Sequence, residues 1–404
     1  MKSNFTFIDL FAGCGGLSEG FYKQKFIPLA HVEHDYYSCE SLKRRMSYYG
    51  FSDLKNAVIH KDIKDKNIIN TISKVIKNKK IDIILGGPPC QSFSSLGRAK
   101  DKNSMKNDPR NYLFENYEKI LNYFTPSIFL FENVTGLLTA KFKNKKVVDV
   151  IKSKLGKKYN ILSNVNEMVL NSCEYGVPQI RKRVFLIGVR NDISYKVEKI
   201  FKNIIKSHYL PFSDNGDRKG KKKFISVKEA IFDLPKIKPG EGKVVCNFKS
   251  KISNEYIRKI RSNNETKLYD HVSRTHNKLD KMRFKEMSKN KWTYEELLKK
   301  KPNLDHKKKR VFKNSYVVQF WDQPSRTIIS HLYKDGNQFI HPDHNQERTL
   351  TVREAARLQS FPDNFYFAGP RTEQFKQIGN AVPPIMSEKI AISIKKALKV
   401  IKGV

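Results

Sequence analysis

Ile81-Asp82-Ile83-Ile84-Leu85-Gly86-Gly87-Pro88-Pro89-Cys90 is an apolar run that stops abruptly in two glycines, two prolines and a cysteine. Its first five residues, Asp82 aside, are apolar on both faces, which suits a strand buried inside a parallel sheet. A second run of the same kind, Ile128-Phe129-Leu130-Phe131, stops in Glu132-Asn133-Val134. Outward from these two, Phe5–Leu10, Ile27–Val32 and Val184–Val189 alternate with longer, lysine-bearing stretches. Strands alternating with crossover helices make an α/β domain. In open α/β sheets ligands bind beyond the carboxyl ends of the strands, so the polar motifs closing these runs are where chemistry is expected.

The chain is long enough for a large core and more than one domain: 404 residues, 39% of them hydrophobic, exclude a disordered chain. Its 78 Lys and Arg stand against 40 Asp and Glu, a net charge of +38 spread along the whole length. Such a surface expects a polyanion. Five cysteines, Cys14, Cys39, Cys90, Cys173 and Cys246, are odd in number and form no C-x-x-C pair, so neither a disulfide framework nor a thiolate metal site is favoured. The expectation is a reduced intracellular protein without a metal. Asp9 interrupts the N-terminal apolar run, and no run is long enough to cross a bilayer, so no membrane association is expected.

Beyond about Asn191 the texture changes to Lys, Asn and Ser with scattered aromatics, including the runs Lys219–Lys223 and Lys307–Arg310. A structureless loop of that length is uncommon in a compact protein, so residues 191–316 are expected to form a small domain of their own. Residues 1–190 and 317–404 would then make one discontinuous domain.

The first strand leads into Phe11-Ala12-Gly13-Cys14-Gly15-Gly16-Leu17, with a helix expected to Phe26. Glycines there let the backbone turn tightly and approach a ligand. A dinucleotide fingerprint needs a further glycine where this chain has Ser18, so a pyrophosphate is poorly matched. Glu33, ending the second strand, is placed to accept hydrogen bonds from a ribose, and Asp62 could receive an adenine amino group. Each carboxylate alone reads as a solvated loop charge; with the glycine turn they point to an adenosine-bearing ligand.

Cys90 differs from the other four cysteines because the preceding prolines fix a rigid, extended backbone at a strand tip. That setting suits a nucleophile better than core packing. Glu132 follows four apolar residues at a low-dielectric edge, where proton donation becomes possible. In Gln179-Ile180-Arg181-Lys182-Arg183, strand alternation would point Arg181 and Arg183 to the same side.

Six motifs now stand in a fixed order: Phe11–Gly16, Pro88-Pro89-Cys90-Gln91, Glu132-Asn133-Val134, Gln179–Arg183, Arg353-Glu354-Ala355-Ala356-Arg357-Leu358-Gln359 and Gly379-Asn380-Ala381-Val382-Pro383. In that order the chain resembles the C5-cytosine DNA methyltransferases over nearly its whole length, apart from the variable insertion. The resemblance implies a Rossmann-like S-adenosylmethionine-dependent domain with a mostly parallel sheet, plus a smaller target-recognition domain at 191–316. It implies Cys90 as the thiolate adding to C6 of a flipped-out cytosine, Glu132 holding N3 and the exocyclic amine, Arg183 on O2 and Arg181 orienting the site. For S-adenosylmethionine it implies Phe11 on the adenine, the turn residues Gly13, Gly15, Gly16 and Leu17, Glu33 on the ribose, Asp62 and Ile63 near the adenine edge, Pro88 by the methyl passage, and Leu113 and Asn380 as further contacts.

The expected partner is double-stranded DNA, read by a monomer in a bacterial cytoplasm and protected by methylation from a restriction endonuclease that need not touch this chain. Tyr269–Asn277 is the stretch expected to meet bases or phosphates, with a solvated helix-capping turn as the alternative. A tRNA-methylating relative would carry Cys-Phe-Thr in its recognition region, whereas Cys246 is followed by Asn247 and Phe248. A catalytically dead DNA-binding relative is disfavoured because every motif residue is present, and a dehydrogenase by the glycine spacing.

Overall fold

The computed structural model describes residues 4–88, 113–142, 145–305 and 315–404. Cys90 and Gln91 lie outside the described residues. The chain divides into two compact units, one of residues 1–171, 182–206 and 384–404, the other of residues 172–181 and 207–383.

The first unit is built on a sheet whose parallel part comprises β1 (Thr6–Leu10), β2 (Ile27–Glu33), β3 (Val58–His60), β4 (Ile83–Gly86) and β5 (Ile128–Val134), ordered β3-β2-β1-β4-β5. The order reverses between β1 and β4, and such a switch point opens a crevice at the strand ends. Beyond β5 come antiparallel strands: β6 (Tyr159–Ile161) and β7 (Val169–Asn171) both pair with β8 (Lys182–Arg190), which itself pairs with β5. The domain is thus α/β with a mostly parallel sheet. The runs ending in the two motifs were legible as strands because their apolar residues are buried on both faces: Ile83, Ile84, Leu85 and all of 128–131 are fully buried. The three-residue strands β3, β6 and β7 were not expected, being too short to show a period.

Helices α1 (Gly16–Lys23), α2 (Tyr36–Tyr48), α3 (Ile68–Ile76), α4 (Leu113–Phe124), α5 (Val147–Leu155), α6 (Val197–Lys202) and α7 (Pro384–Lys402) accompany this sheet. The C-terminal helix α7 packs on α1 so closely that a Cβ on Gly20 would lie 2.3 Å from the backbone nitrogen of Glu388. The last helix of the chain therefore supports the first. A buried ion pair reinforces α1 on the other side: Arg45 Nε meets Glu19 Oε2 at 2.7 Å, and Tyr49 donates to the same carboxylate at 2.8 Å.

The second unit has an apolar centre of Phe284, Met287, Tyr294, Leu297, Leu304, Tyr316, Val318 and Ile340. Three buried arginines tie its segments together. Arg348 forms a two-pronged pair with Glu354, 2.7 Å at each oxygen; Arg353 donates to the carbonyls of Tyr269, Pro362 and Phe365; Arg357 bridges Asp363 and Asp233. The Arg353–Tyr269 and Arg357–Asp233 bonds join residues on both sides of position 317, and the boundaries of the compact units fall elsewhere than the expected 191–316 insertion. Residues 317–383 and 172–181 pack with 207–316, whereas 191–206 pack with the sheet of the first unit.

Candidate functional site

At the carboxyl end of β1 the backbone takes left-handed conformations at Phe11, Gly13 and Gly15, with φ of 60°, 55° and 92°. Glycine adopts such angles freely. Gly15 has a second reason, because a Cβ there would stand 2.6 Å from Leu42 Cδ1. A Cβ on Gly13 would meet nothing within 4 Å, so the outer side of the turn is open. Glu33, buried at the tip of β2, holds the turn in shape: Oε2 accepts from the Gly13 amide at 2.8 Å, and Oε1 from the His34 and Asp35 amides at 2.8 Å each. Its hydrogen bond to the Glu33 carboxylate raises the pKa of His34. Leu17 is buried, and Gly16 opens α1. Gly13, half-buried and open on its outer side beside the Glu33 carboxylate, is where this turn could receive an adenosine ligand.

After β3, Asp62 is exposed, its carboxylate accepting from the Lys64 amide at 2.9 Å, while Ile63 is buried. Leu113 is buried at the first position of α4.

Sequence reading missed Asp9. It is buried in β1 and accepts a hydrogen bond from Ser18 Oγ at 2.5 Å, which explains the residue found where a dinucleotide fingerprint would place glycine. The Ser18 hydroxyl ties α1 to β1 directly below the turn. Burial, with a smaller contribution from Glu33, lifts the Asp9 pKa from 3.8 to about 7, against the Ser18 bond. A raised carboxyl pKa favours the folded state while the group is protonated; that advantage is full below about 4 and is lost as pH rises towards about 7. Asp9→Asn, which keeps an acceptor for Ser18, is therefore expected to gain stability relative to wild type between those values, by on the order of 2–4 kcal/mol. Urea midpoints at pH 4 and pH 8 check this; an equal offset at both would refute it.

β4 delivers Gly87 and Pro88 beside the end of β5. Asn133 Nδ2 donates to the Pro88 carbonyl at 3.1 Å, and Asn133 Oδ1 accepts from the Val134 amide at 2.8 Å. Asn133 thus fixes the backbone that leads into Cys90, a role not assigned from sequence although the residue lies inside a quoted motif. Glu132 points to the neighbouring strand, where Arg183 Nε lies 3.2 Å from its Oε1, each side chain 13% exposed. A Cβ on Gly87 would stand 3.1 Å from Glu132 Oε2, so glycine leaves room for the carboxylate. Burial lowers the Arg183 pKa and the Glu132 charge opposes this; a guanidinium stays protonated regardless. The structure therefore brings Pro88, Glu132 and Arg183 together at the switch-point side of the sheet.

Arg181 behaves differently from the expectation of one shared side. It precedes β8, is fully buried in the second unit, and donates to the carbonyls of Ile328 at 2.7 Å and Gly379 at 3.0 Å. Gln179 accepts from the Ile328 amide at 2.8 Å, and Gln359 donates to Ile378 and Ala381. Asn380 is exposed at the end of the helix Arg371–Asn380. The Tyr269–Asn277 stretch is likewise structural in its centre: Asp270, His271, Ser273 and Arg274 are buried, His271 bonding Thr351 and Pro235 and Arg274 the Tyr333 carbonyl. The His271 ring and the Arg274 guanidinium head are thus engaged inside the unit, while Asp270 Oδ2 and Arg274 Nε are buried without a hydrogen-bond partner. Only its last residue matches the capping alternative, Asn277 accepting from the Asp280 amide.

Residues 5–396 match the model of the C-5 cytosine-specific DNA methylases. The chain belongs to this family. A DNA (cytosine-5)-methyltransferase activity follows from that membership. The chain is 32% identical to the type II methyltransferase M.Bpa9945I of Bacillus paralicheniformis, over 97% of this chain and 98% of that one. It is 33% identical to the type II methyltransferase M.DdeI of Desulfomicrobium norvegicum, over 95% and 87%. Among solved structures, a protein described as a DNA modification methyltransferase encoded within an E. coli prophage superposes with a TM-score of 0.71 at 24% identity, covering 98% of this chain and all of that one. That likeness speaks for the fold of this methylase. No described helix is long and apolar enough to cross a membrane.

Proposed function

We propose that this methylase transfers a methyl group from S-adenosylmethionine to C5 of a cytosine flipped out of a specific double-stranded DNA sequence, through a covalent bond between Cys90 and C6, and so protects bacterial DNA from a restriction endonuclease. The observation that carries the proposal is the Glu132–Arg183 pair beside Gly87-Pro88, two residues before Cys90.

C5 of cytosine is a weak nucleophile. Addition of the Cys90 thiolate to C6 forms the S–C6 bond and drives the ring π electrons towards C5, dividing one difficult step into easier ones. Glu132 would hold N3 and the exocyclic amine and supply the proton to N3 as the adduct forms, while Arg183 would hold both O2 and the Glu132 carboxylate. Bound S-adenosylmethionine supplies an electrophilic methyl group on a sulfonium that leaves as a neutral thioether. Transfer of the C5 proton to water, return of the N3 proton to Glu132 and expulsion of the Cys90 thiolate restore the ring. Phe11, Gly13, Gly15, Gly16, Leu17 and Glu33 would hold the adenosine portion, with Asp62, Ile63, Pro88 and Leu113 alongside. For Arg181, its bonds to Ile328 and Gly379 favour positioning of that segment over contact with the cytosine. A base inside a duplex cannot present C6 to a cysteine, so flipping is required and costs a few kcal/mol of unstacking.

The test is bisulfite sequencing of duplex DNA after incubation with the chain and S-adenosylmethionine. Methylated cytosines in one fixed sequence context are the expected result; methylation of tRNA with none in DNA would refute it. Glu33→Ala should weaken S-adenosylmethionine binding roughly ten-fold or more in calorimetric titration, since a charge-assisted acceptor and the support of the Gly13 amide are lost together. Unchanged affinity would remove Glu33 from the cofactor site.

A further inference from the structure

Phe212 is 92% exposed, whereas the next most exposed large apolar side chain among the described residues, Val400, is at 68%. Single apolar side chains on a surface are ordinary. This one is held outward by a built turn: the Leu210 amide donates to Ser213 Oγ at 3.1 Å, the Ser213 amide returns a bond to the Leu210 carbonyl at 3.1 Å, and Ser213 Oγ donates to Asp217. Asp214 caps the short helix that follows, accepting from the Asp217 amide at 2.8 Å, and Lys221 also reaches Asp217. The turn is flanked by Arg218-Lys219-Gly220-Lys221-Lys222-Lys223, five cations in six residues. Arg218 stacks 5.3 Å over Tyr209, and Lys222 and Lys223 continue as a strand beside His208 and Tyr209. The exposed aromatic and the lysine run are therefore parts of one small surface.

Lysine is depleted at the centre of protein–protein interfaces, and a dense cationic run seeks phosphates. An aromatic ring carried beside such a run has bases within reach, where it gains by stacking or by packing on a base edge. We propose that the Leu210–Asp214 turn and the Arg218–Lys223 run form a DNA-contacting surface, with Lys219 and Lys223 on phosphates, Lys221 and Lys222 held by Asp217 and Glu255, and the Phe212 ring packed against the bases. This rests on duplex DNA being the substrate, and it assigns a place within residues 191–316 where the duplex is held.

The experiment is equilibrium binding of the full chain to a fluorescent duplex across a salt series, with methyl transfer measured on the same preparations. Phe212→Ala should weaken binding about ten-fold or more with the salt slope unchanged, and Phe212→Trp should restore it. Replacing Lys219 and Lys223 by alanine should flatten the log–log slope by about 0.9 for each phosphate left without its cation. All three are exposed, so folding should be unaffected; circular dichroism checks it. If the wild type methylates duplex DNA while Phe212→Ala binds it equally well, this surface is refuted and the activity stands. A wild-type chain that neither binds nor methylates duplex DNA overturns both readings.

Discussion

Cys90→Ala is expected to abolish covalent capture of a duplex carrying 5-fluorocytosine and to reduce methyl transfer to background. A fluorine at C5 cannot leave as a proton does, so the wild type should remain bonded to C6 after methylation and survive denaturing electrophoresis. Without the thiolate, no electron pair is pushed towards C5 and the divided reaction path closes, an effect on the order of several powers of ten in rate. DNA affinity should persist, because phosphate contacts do not depend on the nucleophile. Persistence of the adduct in Cys90→Ala would remove Cys90 from the reaction. Three of the other cysteines offer poor substitutes: burial raises the Cys14 and Cys39 thiols far above neutrality, Cys39 to about 12, and Cys173 likewise to about 12. A thiol protonated at working pH is a weak nucleophile.

The parallel sheet was legible because strands buried on both faces are nearly continuous apolar runs, as at Ile83–Gly86 and Ile128–Val134. Glu33 and the glycine turn were legible because a strand end and a turn are local. What the sequence did not disclose depends on distant partners. Asp9 looks like a lone charge interrupting an apolar strand until Ser18, nine residues on, is seen to donate to it. Arg181 and Arg183 look equivalent by alternation, yet the strand begins at Lys182, and one of them reaches carbonyls 147 and 198 residues away. The polar stretch Tyr269–Asn277 looked solvent-facing for the same reason: its partners, Thr351, Pro235 and Tyr333, are remote in sequence. Long-range hydrogen bonding turns residues of surface composition into core.

The same network decides how a change of target sequence should be engineered. Replacing residues 191–316 with those of a relative is expected to change which cytosine is methylated while leaving S-adenosylmethionine affinity intact, because the glycine turn, Glu33, Glu132 and Arg183 all lie outside the exchanged stretch. The exchange cuts through buried bonds, however. Asp233 is held by Arg357, the Tyr269 carbonyl by Arg353, the Ile237 carbonyl by Arg348, and the His271 ring by Thr351. Breaking a buried ion pair by removing one partner costs about 3–5 kcal/mol, enough to unfold a marginal domain. A hybrid that keeps Asp233 and His271 should fold and recognise the donor's sequence; one that also replaces Asp233 by an apolar residue should fail by aggregation before recognition can be assayed. Bisulfite mapping of the folded hybrid reads the outcome. Retention of the original target would place base readout in the residues outside 191–316, and the recognition role assigned to the insertion would be wrong.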